Sequence, residues 1–508
     1  DVNAATETQG ALGVDALRST RAIHTQVNTP AQINEVFDGI AYLKTAGVIG
    51  MVEAFVGAEA FRKGVSSYLS KYATGNATGE DFWMEVTRVT EKPVNRIMKS
   101  FVEQPGAPLL TVRSQCVAGA TEVSIAQQRY VVAAEPNAAT AERQTWTLPV
   151  CLKTGTGETT CSIVTEAQQT LRAPGCGAVI VNADASGYYF TEYEPWAVRA
   201  LATRTPPLTP AERISLMGDE WRVMRAGRHD IGTYLDLAAA FAGDETPALI
   251  GDMAGKLGYV LGAVASAEQR APWQAWIRAT FGPALTAIGV TNGLGDSDDT
   301  NSRRAMLLML LGASAGDPDV QARARELAEG YLSDPASLAP TLVAPVLQVA
   351  ASGGDAALYD RFKARLTSAS SPDEYYRIFN TLPAFGDPAL VKRTLAFALS
   401  ADVRSQDAPV LINQLLGGSS QDEAWRFIQA EWTALNDKLG TFQGLPYIIG
   451  GMSAFCSTTR EAEIRAFFKA NPLPEAARSI DQVLERISAC AALSARQSPA
   501  FTSWLAQR

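Results

Sequence analysis

Histidine is almost missing from this chain: its 508 residues contain two, His24 and His229. That excludes a zinc site that sets two imidazoles at i and i+4 on one helix face, with a glutamate between them as base. The pair lies 205 positions apart (229 − 24) with no carboxylate motif between. Nothing there argues for a catalytic triad, and both read as ordinary surface or structural residues. No Cys-x-x-Cys pair occurs, which argues against a zinc ribbon or a thioredoxin-type centre. Positive charge is not in excess either. The 44 basic and 53 acidic residues give a formal net charge of -9 and a pI near 5.1, which disfavours nucleic acid as a partner. No apolar run reaches the roughly 18 residues of a transmembrane segment. Even Leu307-Leu308-Met309-Leu310-Leu311 is bounded by Arg303-Arg304 and Gly312. Residues 1–14 also lack the charged, then apolar, then small-residue order of a secretion signal, so the sequence reads as beginning inside something longer.

What is present is ample core material. At 54.2 kDa and 47% hydrophobic residues, the chain predicts roughly two to four domains. Six cysteines stand at 116, 151, 161, 176, 456 and 490. Cys151 and Cys161 are placed to face each other across a hairpin, and Cys116 with Cys176 to close the same domain. Cys456 and Cys490 read as lying on neighbouring helices. Free buried thiols are the alternative. Disulfides would place the protein in an oxidising compartment, periplasmic or extracellular.

Along the chain, residues 1–106 read as helical. Phe55, Phe61, Val65, Tyr68, Leu69 and Tyr72 recur at helical spacing, Thr78 with Asp81 forms a capping-box variant, and a helix from Pro93 runs to Gln104. From 107 to 195 the period changes to two, in Leu110-x-Val112, Val123-x-Ile125, Trp146-x-Leu148-x-Val150, Ile163-Val164 and Val179-Ile180-Val181. Short runs with this punctuation predict a β-sandwich. A linker over 196–207, containing Thr205-Pro206-Pro207, precedes a helical region from 208 to 508. That region opens with Thr209 as N-cap and Pro210 at the first helical position. Gly316-Asp317, Gly354-Asp355 and Gly386-Asp387 punctuate it at intervals of 38 and 32 residues. A glycine ending one helix and an aspartate capping the next predict paired helices stacked as a HEAT-like superhelix.

Phe37-Asp38-Gly39-Ile40-Ala41-Tyr42-Leu43-Lys44, running on into Thr45 to Val52, resembles the tyrosine-bearing segment of M1-family zinc aminopeptidases, the gluzincins. The likeness continues in order through Phe61-Arg62-Lys63-Gly64, Tyr68-Leu69, Tyr72, Gly75-Asn76-Ala77, Phe82-Trp83 and Gln104-Pro105-Gly106-x-Pro108. Asn182 with Gly187-Tyr188-Tyr189 and Tyr193 resembles the end of the family's small β-domain. Arg404-Ser405-Gln406-Asp407, Ala424 to Phe427, Glu431-Trp432 and Ile480 to Ile487 resemble its C-terminal helical domain. Thr45, Arg21 and Phe190 depart from the usual glycine, histidine and arginine.

The resemblance implies a multidomain, mainly α fold: the helical remainder of a thermolysin-like catalytic domain, a small β-sandwich, then a HEAT-like α-superhelical C-terminal domain. It implies a zinc-dependent aminopeptidase acting on peptides, with Tyr42 as the catalytic residue that steadies the oxyanion. The family's His-Glu-x-x-His and its Gly-Ala-Met-Glu-Asn type strand do not occur here. The chain is therefore expected to be the C-terminal portion of a longer enzyme, inactive alone, whose missing N-terminal portion binds zinc and is its partner. Arg404 is a candidate for holding a peptide carboxylate, against the simpler reading of a solvated or capping arginine. Asp296 to Asn301 lacks the central glycine and twelfth-position glutamate of a calcium loop and reads as a polar cap to the next helix. The competing reading is a non-catalytic helical-repeat binding scaffold or pseudo-enzyme.

Overall fold

The computed structural model describes residues 2–132, 144–155, 157–204, 206–293, 295–440 and 444–508. The chain divides into two compact units, Asp1–Ala240 and Phe241–Arg508. It is mainly helical, with a small sheet region and a C-terminal helical domain.

The first unit opens with α1 (Val2–Asp15) and α2 (Pro30–Glu35) and then makes one π turn, Ile40–Lys44, which runs directly into α3 (Thr45–Val56). Between Phe55 and Phe61 the helical spacing is broken at Gly57, which joins α3 to α4 (Ala58–Lys71). Gly57 has φ +91°, a conformation that side-chain-bearing residues rarely adopt, and the two helical stretches bend there by 115°. Thr78 and Asp81 close a full capping box on α5 (Gly79–Thr90), and α6 (Val94–Val102) follows Pro93.

The β region holds β1 (Pro108–Val117), β2 (Ala120–Arg129), β3 (Leu148–Lys153), β4 (Thr159–Val164), β5 (Gln168–Pro174) and β6 (Phe190–Glu192). A four-stranded sheet has the order β5-β2-β1-β6, with β6 parallel to β1, and β3 pairs with β4 in a separate two-stranded sheet. Thr121, Val123, Ile125 and Gln127 on β2 are all buried, the period of two that a half-buried strand requires. Val179-Ile180-Val181 is buried but is not a strand. It makes one bridge, Ile180 to Lys153, because continuous apolarity marks burial without fixing backbone pairing.

Much of the expected linker is helical. Pro195 starts α7 (Pro195–Ala202) at a first-turn position where its missing N–H costs nothing. Thr205, within that expected linker, and residues 133–143, within the expected β region, lie outside the described residues. Thr209 and Glu212 form a capping box on α8 (Pro210–Arg225), which leads to α9 (Ile231–Ala240).

The second unit runs through α10 (Pro247–Ala263), α11 (Arg270–Ile288), α12 (Asp298–Leu308), α13 (Pro318–Ser333), α14 (Pro340–Ser352), α15 (Ala356–Thr367), α16 (Pro372–Phe379) and α17 (Pro388–Leu399), with further helices to Ala477–Leu505. The Gly-Asp punctuation has the capping role expected of it: Asp317, Asp355 and Asp387 each accept a backbone N–H at the start of α13, α15 and α17. The glycines do not share one role. Gly354 is there for space, since a Cβ on it would lie 2.5 Å from the Phe385 ring. No single helix among the described residues is long and apolar enough to cross a membrane.

Candidate functional site: a tethered tyrosine segment

The segment carrying Tyr42 is fastened at both ends. On the approach, Asp38 accepts the backbone N–H groups of Ile40 at 2.9 Å and Ala41 at 3.1 Å, satisfying donors that a helix start leaves without partners. Arg21 forks onto the same carboxylate, Nη2 to Oδ1 at 2.7 Å and Nε to Oδ2 at 3.1 Å. It also donates to the carbonyls of Ala22 and Val36 at 3.0 and 2.9 Å. One planar guanidinium thus ties the chain before α2 to the chain after it.

Beyond the approach, the Lys44 N–H donates to the Gly39 carbonyl at 2.9 Å, closing the π turn. Such widened turns are frequent at functional sites. Residues two apart on a helix lie on nearly opposite sides, and here Lys44 is fully buried while Tyr42 is 60% exposed. The Lys44 ammonium sits 2.8 Å from Asp15 Oδ2 and donates to the Gly106 carbonyl at 3.0 Å. Asp15 is satisfied all round: it accepts from Thr20 Oγ1 at 3.0 Å, the Gly106 N–H at 3.2 Å and the Tyr188 hydroxyl at 3.2 Å. Burial pulls the Lys44 pKa below its ordinary value, against the opposing attraction of Asp15. Burial, then the Asp15 charge, pushes the Tyr188 pKa well above the usual phenol value.

Outside this anchor, the Tyr42 ring is 6.4 Å from that of Phe37, and its hydroxyl makes no hydrogen bond among the described residues. A cleft of about 200 Å³ lies beside the segment, bounded by Leu43, Ala46, Gly47, Glu7 and Asp184. Tyr42 does not line it.

Arg404, in the second unit, is committed to neighbours. Its Nε donates to Asp407 Oδ2 at 2.7 Å, and its other arm reaches the Tyr376 hydroxyl, which itself donates to Asp407 Oδ1 at 3.2 Å. The side chain remains 63% exposed. His229 is buried against Glu220, 3.0 Å from Nδ1, and His24 donates its backbone N–H to Val102. Ser297 caps α12 by accepting the Thr300 N–H, and Asp296 binds Arg304 at 2.6 Å. Gly312-Ala313-Ser314-Ala315-Gly316 spells a Gly-x-Ser-x-Gly pattern. It follows helix α12 through a π turn, Met309–Ser314, not a strand, so it has none of the geometry of a nucleophile elbow.

The cysteines are bonded Cys116 to Cys176, Cys151 to Cys161 and Cys456 to Cys490. Cys151 and Cys161 stand directly opposite in the β3–β4 register. Cys456 lies in the loop before the helix Thr458–Ala470, not on a helix. Among the described residues, no three His, Cys, Asp or Glu side chains gather as a metal donor set, so these residues carry no step through a metal.

Residues 2–101 match the Peptidase family M1 domain, and residues 178–489 match the ERAP1-like C-terminal domain. The chain belongs to peptidase family M1. It is 26% identical over 511 residues to an Arabidopsis thaliana protein named Aminopeptidase M1, covering 95% of this chain and 56% of that protein. With the Saccharomyces cerevisiae protein Aminopeptidase 2, mitochondrial, the identity is 26% over 497 residues, covering 94% of this chain and 50% of the yeast protein. A Thermoplasma volcanium protein named Tricorn protease-interacting factor F2 is 29% identical over 253 residues, 49% of this chain and 30% of the relative. The chain thus spans about half the length of the full-length matches.

Proposed function

We propose that this chain is part of a zinc-dependent aminopeptidase that removes N-terminal residues from peptides, with Tyr42 stabilising the oxyanion and the helical unit enclosing the substrate chamber. The observation that carries the reading is the Tyr42 segment: an exposed phenol with an uncommitted hydroxyl on a turn anchored by a buried ion pair. Attack on a peptide carbonyl builds negative charge on oxygen. A preorganised O–H about 2.7–3.1 Å from that oxygen stabilises the transition state more than the ground state. Zinc, which family M1 uses in general, is held in this reading by residues outside this chain. Arg404 is a candidate for holding a peptide carboxylate, through the guanidinium N–H groups that Asp407 and Tyr376 leave free on a side chain 63% exposed. The three disulfides support an oxidising compartment, periplasmic or extracellular.

The test is to extend the chain by its upstream coding sequence and assay an aminoacyl-p-nitroanilide. The extended, zinc-loaded protein is expected to hydrolyse it while residues 1–508 do not. Tyr42→Phe is expected to lower kcat by about a hundredfold to a thousandfold with little change in KM. An upstream sequence without His-Glu-x-x-His, or a Tyr42→Phe enzyme with full kcat, overturns the reading in favour of a binding scaffold.

A further inference from the structure

Helices α15, α16 and α17 of the second unit surround a pocket of about 600 Å³. Leu366, Pro372, Tyr375 and Phe397 make its apolar wall, and Lys363 and Asp402 bring one charge of each sign. The Lys363 ammonium lies over the Phe397 ring, 2.9 Å from its centroid. Elsewhere on this unit neighbouring opposite charges close on one another: Arg393 on Asp360 at 2.5 Å, Arg325 on Asp355 at 2.8 Å, Arg404 on Asp407 at 2.7 Å. Lys363 and Asp402 do not. Neither side chain makes a hydrogen bond or ion pair among the described residues, although they share a pocket and the carboxylate's field reaches the ammonium. Burial brings the Lys363 pKa down to about 8, against the pull of Asp402 and with the help of the nearby Arg393 charge.

A cation and an anion that share one pocket without pairing complement a molecule that carries both charges close together. A simple anion would gain Lys363 and be repelled by Asp402, and a simple cation the reverse. An uncharged apolar molecule would leave the half-buried Lys363 ammonium covered and unpaired, which is costly. We propose that this pocket binds a free α-amino acid with an apolar or aromatic side chain, its carboxylate on Lys363, its ammonium toward Asp402 and its side chain against Tyr375 and Phe397. The volume lies within the range of small-molecule sites, and both ends gain charge-assisted contacts. Free amino acids are also what an aminopeptidase releases. The site nevertheless stands on its own charges, and its test involves no turnover.

Titration calorimetry of residues 1–508 with L-phenylalanine is expected to show one site in the millimolar range or tighter. N-acetyl-phenylalanine, lacking the ammonium, and phenylalanine amide, lacking the carboxylate, are each expected to bind about tenfold more weakly or worse. Lys363→Met and Asp402→Asn should each weaken phenylalanine to a similar extent. Lys363→Met should also remove the preference for phenylalanine over its amide, and Asp402→Asn the preference over the acetylated form. Absence of phenylalanine binding, or equal binding of all three compounds to the unaltered chain, overturns the proposal, and that comparison needs no variant to fold.

Discussion

Lys44 and Asp15 meet at 2.8 Å with both side chains fully sealed from water, 29 positions apart (44 − 15), and between them they join α1 to the turn that carries Tyr42. Removing two charges from water is expensive. The pair is stable there because its remaining donors and acceptors are met by Thr20, Tyr188 and the Gly106 backbone.

Lys44→Met leaves Asp15 as a buried anion without its cation, and about 3–5 kcal/mol of stability should be lost, read by chemical denaturation of the first unit's transition. Adding Asp15→Leu should restore only part of that loss, because the Gly106 N–H and the Tyr188 hydroxyl then lack an acceptor. Full recovery would show that the ion pair, not the wider network, carries the anchor.

Asp38→Ala removes the acceptor for two N–H groups at the start of the turn. The expected cost exceeds the roughly 1 kcal/mol of a lost helix cap, because the buried Arg21 guanidinium also loses its carboxylate. Hydrogen exchange should quicken at Ile40 and Ala41 while α5, capped independently by Thr78 and Asp81, stays unchanged.

The three disulfides close loops of different length, with sequence separations of 60, 34 and 10. Replacing both cysteines of a pair by serine should cost about 4 kcal/mol for Cys116–Cys176 and about 3 kcal/mol for Cys151–Cys161, if restriction of the unfolded chain dominates. Denaturation of the three double variants under oxidising conditions tests that order.

Asp219 is buried and accepts from the Thr191 N–H and hydroxyl at 3.0 and 2.6 Å. Burial pushes its pKa up to about 6 from an ordinary 3.8, against those hydrogen bonds. A carboxyl raised on folding contributes most to stability when protonated, and this contribution falls as pH rises from about 4 through about 6. The stability difference between the natural chain and Asp219→Asn should therefore shift in favour of the variant over that window. A difference that is flat with pH would show that Asp219 titrates normally.

The local signals were legible in the sequence. Thr78 with Asp81, Thr209 with Pro210, and the aspartates at 317, 355 and 387 each announced a helix start, because a cap is written within four residues. The helical, β and helical order was legible too, in the change of the apolar spacing from helical to a period of two. What escaped depends on distant partners. Lys44 stood out beside Tyr42, but nothing near Asp15 indicates that it receives that ammonium. The π turn repeats the apolar pattern of an ordinary helix and differs only in its hydrogen bonds. Val179 to Val181 looked like a strand because burial and strand pairing leave the same apolar run. Lys363 and Asp402, 39 positions apart (402 − 363), share a pocket only once α15 to α17 are packed.

Because Arg21 and Lys44 bolt down the backbone on either side of Tyr42, the ring's freedom is limited to its own two torsions. A surface that comes to meet this phenol has a hinge to settle, not a loop to organise.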